Sequence, residues 1–309
     1  MKILVVGGTG LIGAHAAQYL SEQGCEVTIG ARKPPPSSSL LSEFPVVLGD
    51  YTKGFAEGSV GAFDVVVFSA GNDVRHLESE DDQASFWLRT QIEGVPKFAR
   101  QARREGVSKF IQIGSYYHQA LPELISSNEY VQARHFADIN TRALALSDFH
   151  VMTLNPPSII GALPGIAFSK FDELVAWARG QRPQVPFFAP PGGTNYMSVR
   201  SLSEAIWSAI QIGSSGKAYL LGDQNLTFRE MFEKIFLLVG NEVELEIVDR
   251  EHPLLPDSIF PPGRGAVLSY EPDAVEDGHL LYGHNDVDRA LAEVIRQLSD
   301  NAEALPKRN

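Results

Sequence analysis

Cysteine occurs once in the 309 residues, as Cys25. That excludes an internal disulfide, and the residue reads as a packing position in a turn. No apolar run approaches the roughly 18 residues of a membrane span. Positive charge is scarce: 26 lysines and arginines against 38 acidic residues leave a formal charge of −12. This balance argues against nucleic acid or an anionic membrane as partner. Any anionic ligand must then be held by a local positive site. The eight histidines show no metal-ligand spacing, so no metal is expected. The chain has no GxSxG nucleophile elbow and no GxxxxGK(S/T) phosphate loop. A core strand begins at once, without a leader, so the expectation is a cytoplasmic protein. Hydrophobic residues at 44% and charged residues at 21% are those of a globular chain. Its length suits one large domain with a smaller lobe.

What is present is concentrated at the N-terminus, MKILVVGGTGLIGAH. Ile3, Leu4, Val5 and Val6 form a run expected of a strand buried on both faces. Gly7-Gly8-Thr9-Gly10-Leu11-Ile12-Gly13 follows, and then a helix-compatible stretch from Ala14 to Gln23. Gly7 permits a tight turn off the strand. Gly10 lets backbone approach a pyrophosphate, and Gly13 lets the helix pack close to the sheet. The pyrophosphate would lie over the helix N-terminus, where free N–H groups and the macrodipole favour an anion. A strand–helix turn without a ligand is the alternative. The strand before and the helix after favour the nucleotide.

The second strand, Glu26 to Ala31, ends at Arg32-Lys33. A carboxylate there would bond the ribose 2′-OH of NAD and repel a 2′-phosphate. Two cations stand there instead, which favours NADP over NAD, since a guanidinium can grip a phosphate bidentately. A solvated basic pair opening the loop Pro34 to Ser39 is the alternative. A third strand, Val46 to Leu48, precedes Gly49-Asp50, and a fourth, Asp64 to Ser69, ends in Ala70-Gly71-Asn72. Residues that small fit close approach to a ribose. A helical stretch covers Gln83 to Glu105, with Pro96 as the expected kink or break. The fifth strand, Lys109 to Ile113, ends in Gly114-Ser115. The helix Asn128 to Leu146 carries Tyr130 and Arg134 one turn apart on one face. The sixth strand, His150 to Leu154, leads into Asn155-Pro156-Pro157-Ser158-Ile159-Ile160-Gly161.

After Leu163 the alternation loosens. Helices are expected over 168–179, 226–239 and 285–298, a strand and helix over 196–209, and strands over 218–223 and 242–248. A proline-rich loop covers 181–193, and the tail after Asp300 is expected to fray. The fold class is α/β, a Rossmann-type doubly wound parallel sheet with a smaller C-terminal lobe. Residues 1–162 would form the NAD(P)-binding domain and 163–309 a mixed α/β substrate lobe, with some of its segments returning to the sheet.

The GxxGxxG turn, the stretch QIEGVPKFARQARREGVSKF, the YxxxR pair and NPPSIIG resemble the extended short-chain dehydrogenase/reductases of the NAD-dependent epimerase/dehydratase kind. The resemblance implies a cofactor site made of Gly7, Thr9, Gly10, Leu11, Ile12, Gly13, Arg32, Lys33, Asp50, Ser69, Ala70, Gly71, Gln91, Pro156 and Ser158. Asp50 would contact the adenine, although it reads equally as a turn former. The resemblance places the Ser115 hydroxyl on a substrate carbonyl and makes Tyr130 the general acid/base. Arg134 stands where the family has a lysine that lowers the tyrosine pKa, binds the nicotinamide ribose and passes protons. An arginine can supply the charge but cannot cycle the proton. Gln91 stands where the family has an asparagine that holds a relay water. Tyr116 and Tyr117 are rival candidates for the hydroxyl. The implied activity is an NADP-dependent reductase or dehydrogenase acting on a carbonyl or secondary alcohol of a small molecule. A homodimer through the two long helices is a further expectation from the resemblance. The same residues leave open an epimerase or dehydratase of a nucleotide sugar. Gln91 and Arg134 also leave open a non-catalytic NADP sensor.

Overall fold

The computed structural model describes residues 1–37, 39–72, 76–77, 82–164, 169–272 and 280–304. Seven parallel strands form its main sheet: β1 (Lys2–Val6), β2 (Glu26–Ala31), β3 (Val46–Leu48), β4 (Val65–Phe68), β5 (Lys109–Ile113), β6 (His150–Asn155) and β9 (Ala218–Leu220). Their order is β3-β2-β1-β4-β5-β6-β9. The order reverses between β1 and β4, so a crevice opens there at the C-terminal strand ends. A smaller sheet is made of β7 (Ser158–Ile160), β8 (Gly193–Ser198) and β10 (Gln224–Thr227), in the order β10-β8-β7.

Side-chain alternation along the strands builds two cores from one sheet. Ile3 and Val5 of β1 pack with Ile29, Val67 and Ile111 against α1 (Leu11–Glu22) and α7 (Val199–Ile212). Leu4 and Val6 pack with Phe68 and Phe110 against Phe98 of α3 (Gly94–Arg104) and Ala137 of α5 (Glu129–Arg142). Full burial of each large apolar side chain contributes about 1.5–3 kcal/mol, which is why the strands read as unbroken apolar runs. Residues beyond 163 complete this layer, since α7 lies against α1 and β9 pairs with β6. A short helix, α4 (Tyr117–Ala120), leaves the end of β5 and packs on α5.

A third core joins α6 (Ser169–Ala178), α8 (Phe228–Leu238) and α9 (Val287–Ala304) to the smaller sheet. Its centre is Trp177, edge-on to Phe236 at 4.8 Å and Phe232 at 5.3 Å. Among the described residues no helix is long and apolar enough to cross a membrane.

Several expectations are corrected. The helical stretch before β5 divides into α2 (Gln83–Trp87), a π-turn over Leu88–Ile92, and α3. The disruption therefore precedes Pro96, which lies in the first turn of α3. Pro96 has no N–H for the Ile92 carbonyl, and the chain adapts upstream, where Glu93 N–H donates to Leu88 O at 2.9 Å. Residues 242–248 form no strand: only Ile247 bridges to Ala189. Asn128 is the N-cap of α5, its side chain accepting from Val131 N–H, and that helix ends at Arg142 instead of Leu146. The closing helix begins at Val287, after Asn285 with a φ of 59°, and runs past Leu298 to Ala304. Phe168, Ser38 and the tail beyond 304 lie outside the described residues.

Candidate active site

The glycine turn is built by close approach. Gly7 has a φ of 85°, and a Cβ there would lie 2.7 Å from Ala70 N. A Cβ on Gly13 would overlap Gly7 O and lie 2.6 Å from Ser69 Oγ. These two glycines let α1, β1 and the end of β4 meet. Gly10 differs: its nearest neighbour would be Gly7 O at 3.6 Å, so the space above it is open. Gly10 is also the N-cap of α1, with no side-chain cap and no acidic residue in the first turn. The first N–H groups of α1 are left to an outside acceptor. Thr9 is exposed and Leu11 and Ile12 are half-buried around this opening. Open space, uncapped N–H groups and absent carboxylates together fit a pyrophosphate.

Along the same edge, Arg32 and Lys33 are exposed beyond β2, with no hydrogen bond or ion pair among the described residues. Asp50 Oδ1 accepts from Thr52 N–H at 3.0 Å and from Thr52 Oγ1 at 2.8 Å, so it does form a turn. Ser69 donates from Oγ to Val6 O at 2.9 Å, tying β4 to β1. Gly71 has a different use from the expected one. A Cβ there would lie 2.8 Å from Arg134 Nη1, so the glycine makes room for that guanidinium.

Arg134 is 6% exposed. Its Nη2 donates to Ile113 O at 3.0 Å, and its Nη1 faces Gln91 Oε1 at 3.4 Å. Its Nε has no partner, and no carboxylate pairs with it among the described residues. Arg134 docks on the last residue of β5, two residues before Ser115, and Tyr130 lies one turn before Arg134 on α5. Tyr130 is half-buried against Trp87 at 5.4 Å and Tyr117 at 6.3 Å between ring centroids. Neither Tyr130 Oη nor Ser115 Oγ bonds another described group. Both hydroxyls are therefore free to meet a substrate oxygen. The rivals are occupied. Tyr116 Oη shares a hydrogen with Thr194 Oγ1 at 2.7 Å. Tyr117 lies in the aromatic cluster, and burial pushes both phenols up. Pro156 is buried after β6, and Ser158 starts β7 opposite Tyr196.

The sequence reading missed what holds Ser115. Asn155, fully buried, accepts from Ser115 N–H at 3.0 Å and donates to Gln119 Oε1 at 2.6 Å. Gly114 admits this, since a Cβ there would overlap Asn155 Oδ1. Behind Asn155, His118 Nε2 bonds Asp138 Oδ2 at 2.9 Å. Asp138 is held down to about 2 despite its burial, by hydrogen bonds from His118 and Arg142 and by their charge. The outward signal is the asparagine itself, an amide at the buried end of β6 followed by two prolines. Two cavities, of about 580 and 370 Å³, lie elsewhere, one along α8 and one between α1, α7 and α9. Among the described residues no cluster could hold a metal ion.

A family described as the NAD dependent epimerase/dehydratase family matches residues 3–222. A Synechocystis protein named "Putative dihydroflavonol 4-reductase" is 23% identical over 261 residues, covering 76% of this chain and 72% of that one. UDP-glucose-4-epimerase from Stenotrophomonas maltophila, solved with NAD and formylated UDP-arabinopyranose, superposes with a TM-score of 0.71 at 19% identity, over 99% of this chain and 100% of its own. UDP-N-acetylglucosamine 4-epimerase from Bacillus cereus superposes with a TM-score of 0.70 at 13% identity, over 100% of this chain and 99% of its own. The structural likenesses establish the Rossmann-type fold, and the family match over 3–222 establishes that the chain belongs to the NAD-dependent epimerase/dehydratase family.

Proposed function

We propose that the protein is an NADP-dependent reductase or dehydrogenase acting on a carbonyl or secondary alcohol of a small organic substrate. The observation that carries the reading is Arg134 donating to Ile113 O at 3.0 Å, which ties α5, bearing Tyr130, to the strand end that precedes Ser115; neither hydroxyl bonds another described group. When bound, a nicotinamide dinucleotide supplies or accepts the hydride. Gly7 to Gly13 and the first N–H groups of α1 would hold its pyrophosphate, and Arg32 and Lys33 its 2′-phosphate. Ser115 and Tyr130 donate hydrogen bonds to the carbonyl oxygen, and Tyr130 gives that oxygen its proton. Arg134 anchors α5, which carries Tyr130, to the end of β5. Arg134 keeps its proton, so the half-exposed Tyr130 regains one from solvent.

A nucleotide-sugar epimerase is the second reading. It would need cations for a diphosphate: in the C-terminal half, Arg182, Arg200, Arg229, Lys234, Arg264 and Arg289 each lie within 4.0 Å of a carboxylate, whereas Arg179, Arg250 and Arg296 have no ion pair among the described residues. Around Tyr130 the surroundings are aromatic, with Trp87, Tyr117 and, behind it, Phe260. Such a setting suits a flat apolar carbonyl compound. The test is NADPH consumption over a panel of aromatic and aliphatic ketones and aldehydes, with wild type and Tyr130→Phe. Wild-type turnover that falls at least about a hundredfold in Tyr130→Phe, with NADPH affinity retained, supports the reading. Full activity in Tyr130→Phe removes Tyr130 from the role.

A further inference from the structure

The two residues that depart from the family's pattern at the catalytic end touch each other. Gln91 is fully buried. It sits in the π-turn, a rare local form that tends to mark functional positions. Two features hold that turn open. Pro96 supplies no N–H. Gly94 leaves room for the displaced carbonyl, since a Cβ there would overlap Arg89 O. Thr90 of the turn accepts at its carbonyl from Tyr51 Oη at 2.8 Å, and Tyr51 Oη accepts from Asn72 Nδ2 at 2.9 Å. Gln91 Nε2 donates to Asn72 O at 2.7 Å. That bond fixes the amide with its oxygen toward Arg134 Nη1, at 3.4 Å. A chain of hydrogen bonds thus runs from Tyr51, next to Asp50, through the end of β4 and the π-turn to Arg134 on α5.

Arg134 is a buried cation with no carboxylate and an unpartnered Nε. Such a group is costly unless its remaining donors meet an acceptor. Its neutral protein acceptors are Gln91 Oε1 and Ile113 O. We propose that Gln91 is the positioning residue for Arg134, and that glutamine at 91 with arginine at 134 is one matched exchange in place of two separate losses. The longer amide and the longer cation reach each other directly. Either change alone leaves a gap. This rests on the reading above that Arg134 serves the cofactor-and-carbonyl site.

The test titrates NADPH into full-length wild type, Gln91→Asn, Arg134→Lys and the double variant, with Tm recorded for each. Each single change is expected to weaken NADPH binding about tenfold, and the double variant to return within about threefold of wild type. Gln91→Met keeps the shape without polar atoms and covers the case in which the shorter asparagine does not fold. It is expected to cost about tenfold beside the native Arg134 but only about twofold in the Arg134→Lys background, where no direct contact is left to lose. Additive losses, or equal losses in both backgrounds, overturn the pairing while leaving the functional reading intact. A wild type that binds neither NADPH nor NADH overturns both.

Discussion

At the glycine turn the crevice is shaped by missing atoms, and at the Ser115 end it is shaped by side chains reaching one another. Gly7 and Gly13 work because nothing stands beyond Cα, so β1, α1 and β4 close up and leave α1's N–H groups exposed to a ligand. At the other end Ser115 is held by Asn155, and Arg134 by Gln91 and a strand carbonyl, drawn from separate elements along the chain. The first arrangement centres on one short stretch of chain meeting the end of β4, and its Gly7 and Gly13 tolerate no added atom. The second is distributed, and its members can be exchanged if their partners change with them.

The sharpest break in this comparison is expected at Gly13. Gly13→Ala drives a methyl into Gly7 O and Ser69 Oγ. It should cost about 3 kcal/mol or more in denaturant unfolding. Gly10→Ala, with open space around it, should cost less than about 1 kcal/mol yet weaken NADPH binding measurably. Equal destabilisation at the two positions would contradict the close-approach account. The next largest effect is expected at Gly114, where alanine displaces Asn155 Oδ1. Turnover should fall about a hundredfold as Ser115 shifts, while NADPH affinity, read by fluorescence titration, stays within about threefold.

Acid should act on His252 of the C-terminal lobe and His15 of α1 before it reaches the Asp138 pair. Burial, with Arg250 nearby, lowers the pKa of His252 to about 4, and burial with Arg200 does the same for His15. Both are neutral when folded, whereas the unfolded chain takes up their protons near pH 6.5. Their contribution is present above pH 6.5 and is lost as pH falls toward about 4. Asp138, depressed to about 2, keeps its contribution above its unfolded pKa of about 4 and loses it only below. Thermal melts should show Tm declining between about pH 6.5 and about 4, with a flatter decline in His252→Asn. The smallest effect is expected at Arg32. Arg32→Ala should weaken NADPH about tenfold and leave NADH within about twofold, measured by parallel titrations.

The same contrast explains what the sequence could tell. β2, β3 and β5 were legible to the residue and β1 to within one, because their apolar residues are bounded by glycine, proline or charge. The glycine turn was legible because its geometry lies within one short stretch of chain. Residues 242–248 misled because alternating Glu and apolar residues is also what a segment shows when it packs on a helix. Leu245 is buried in the α6–α8 core while its N–H donates to Glu233 of α8. The π-turn was hidden because its cause, Pro96, lies downstream of its effect. The link from Tyr51 through Asn72 and Gln91 to Arg134 joins four distant parts of the chain, and no local pattern reports such a connection. Gly71 was noticed as small, but what it makes room for is a side chain of α5.

The central claim is that Ser115, Tyr130 and Arg134 carry out net reduction or oxidation at a carbonyl. Its most direct test is the stoichiometry of nicotinamide oxidised to carbonyl consumed in a sealed reaction with the best substrate of the panel. The account predicts one NADP+ formed for each carbonyl reduced. Substrate conversion with no net change in the nicotinamide would contradict it and point to an epimerase-type cycle.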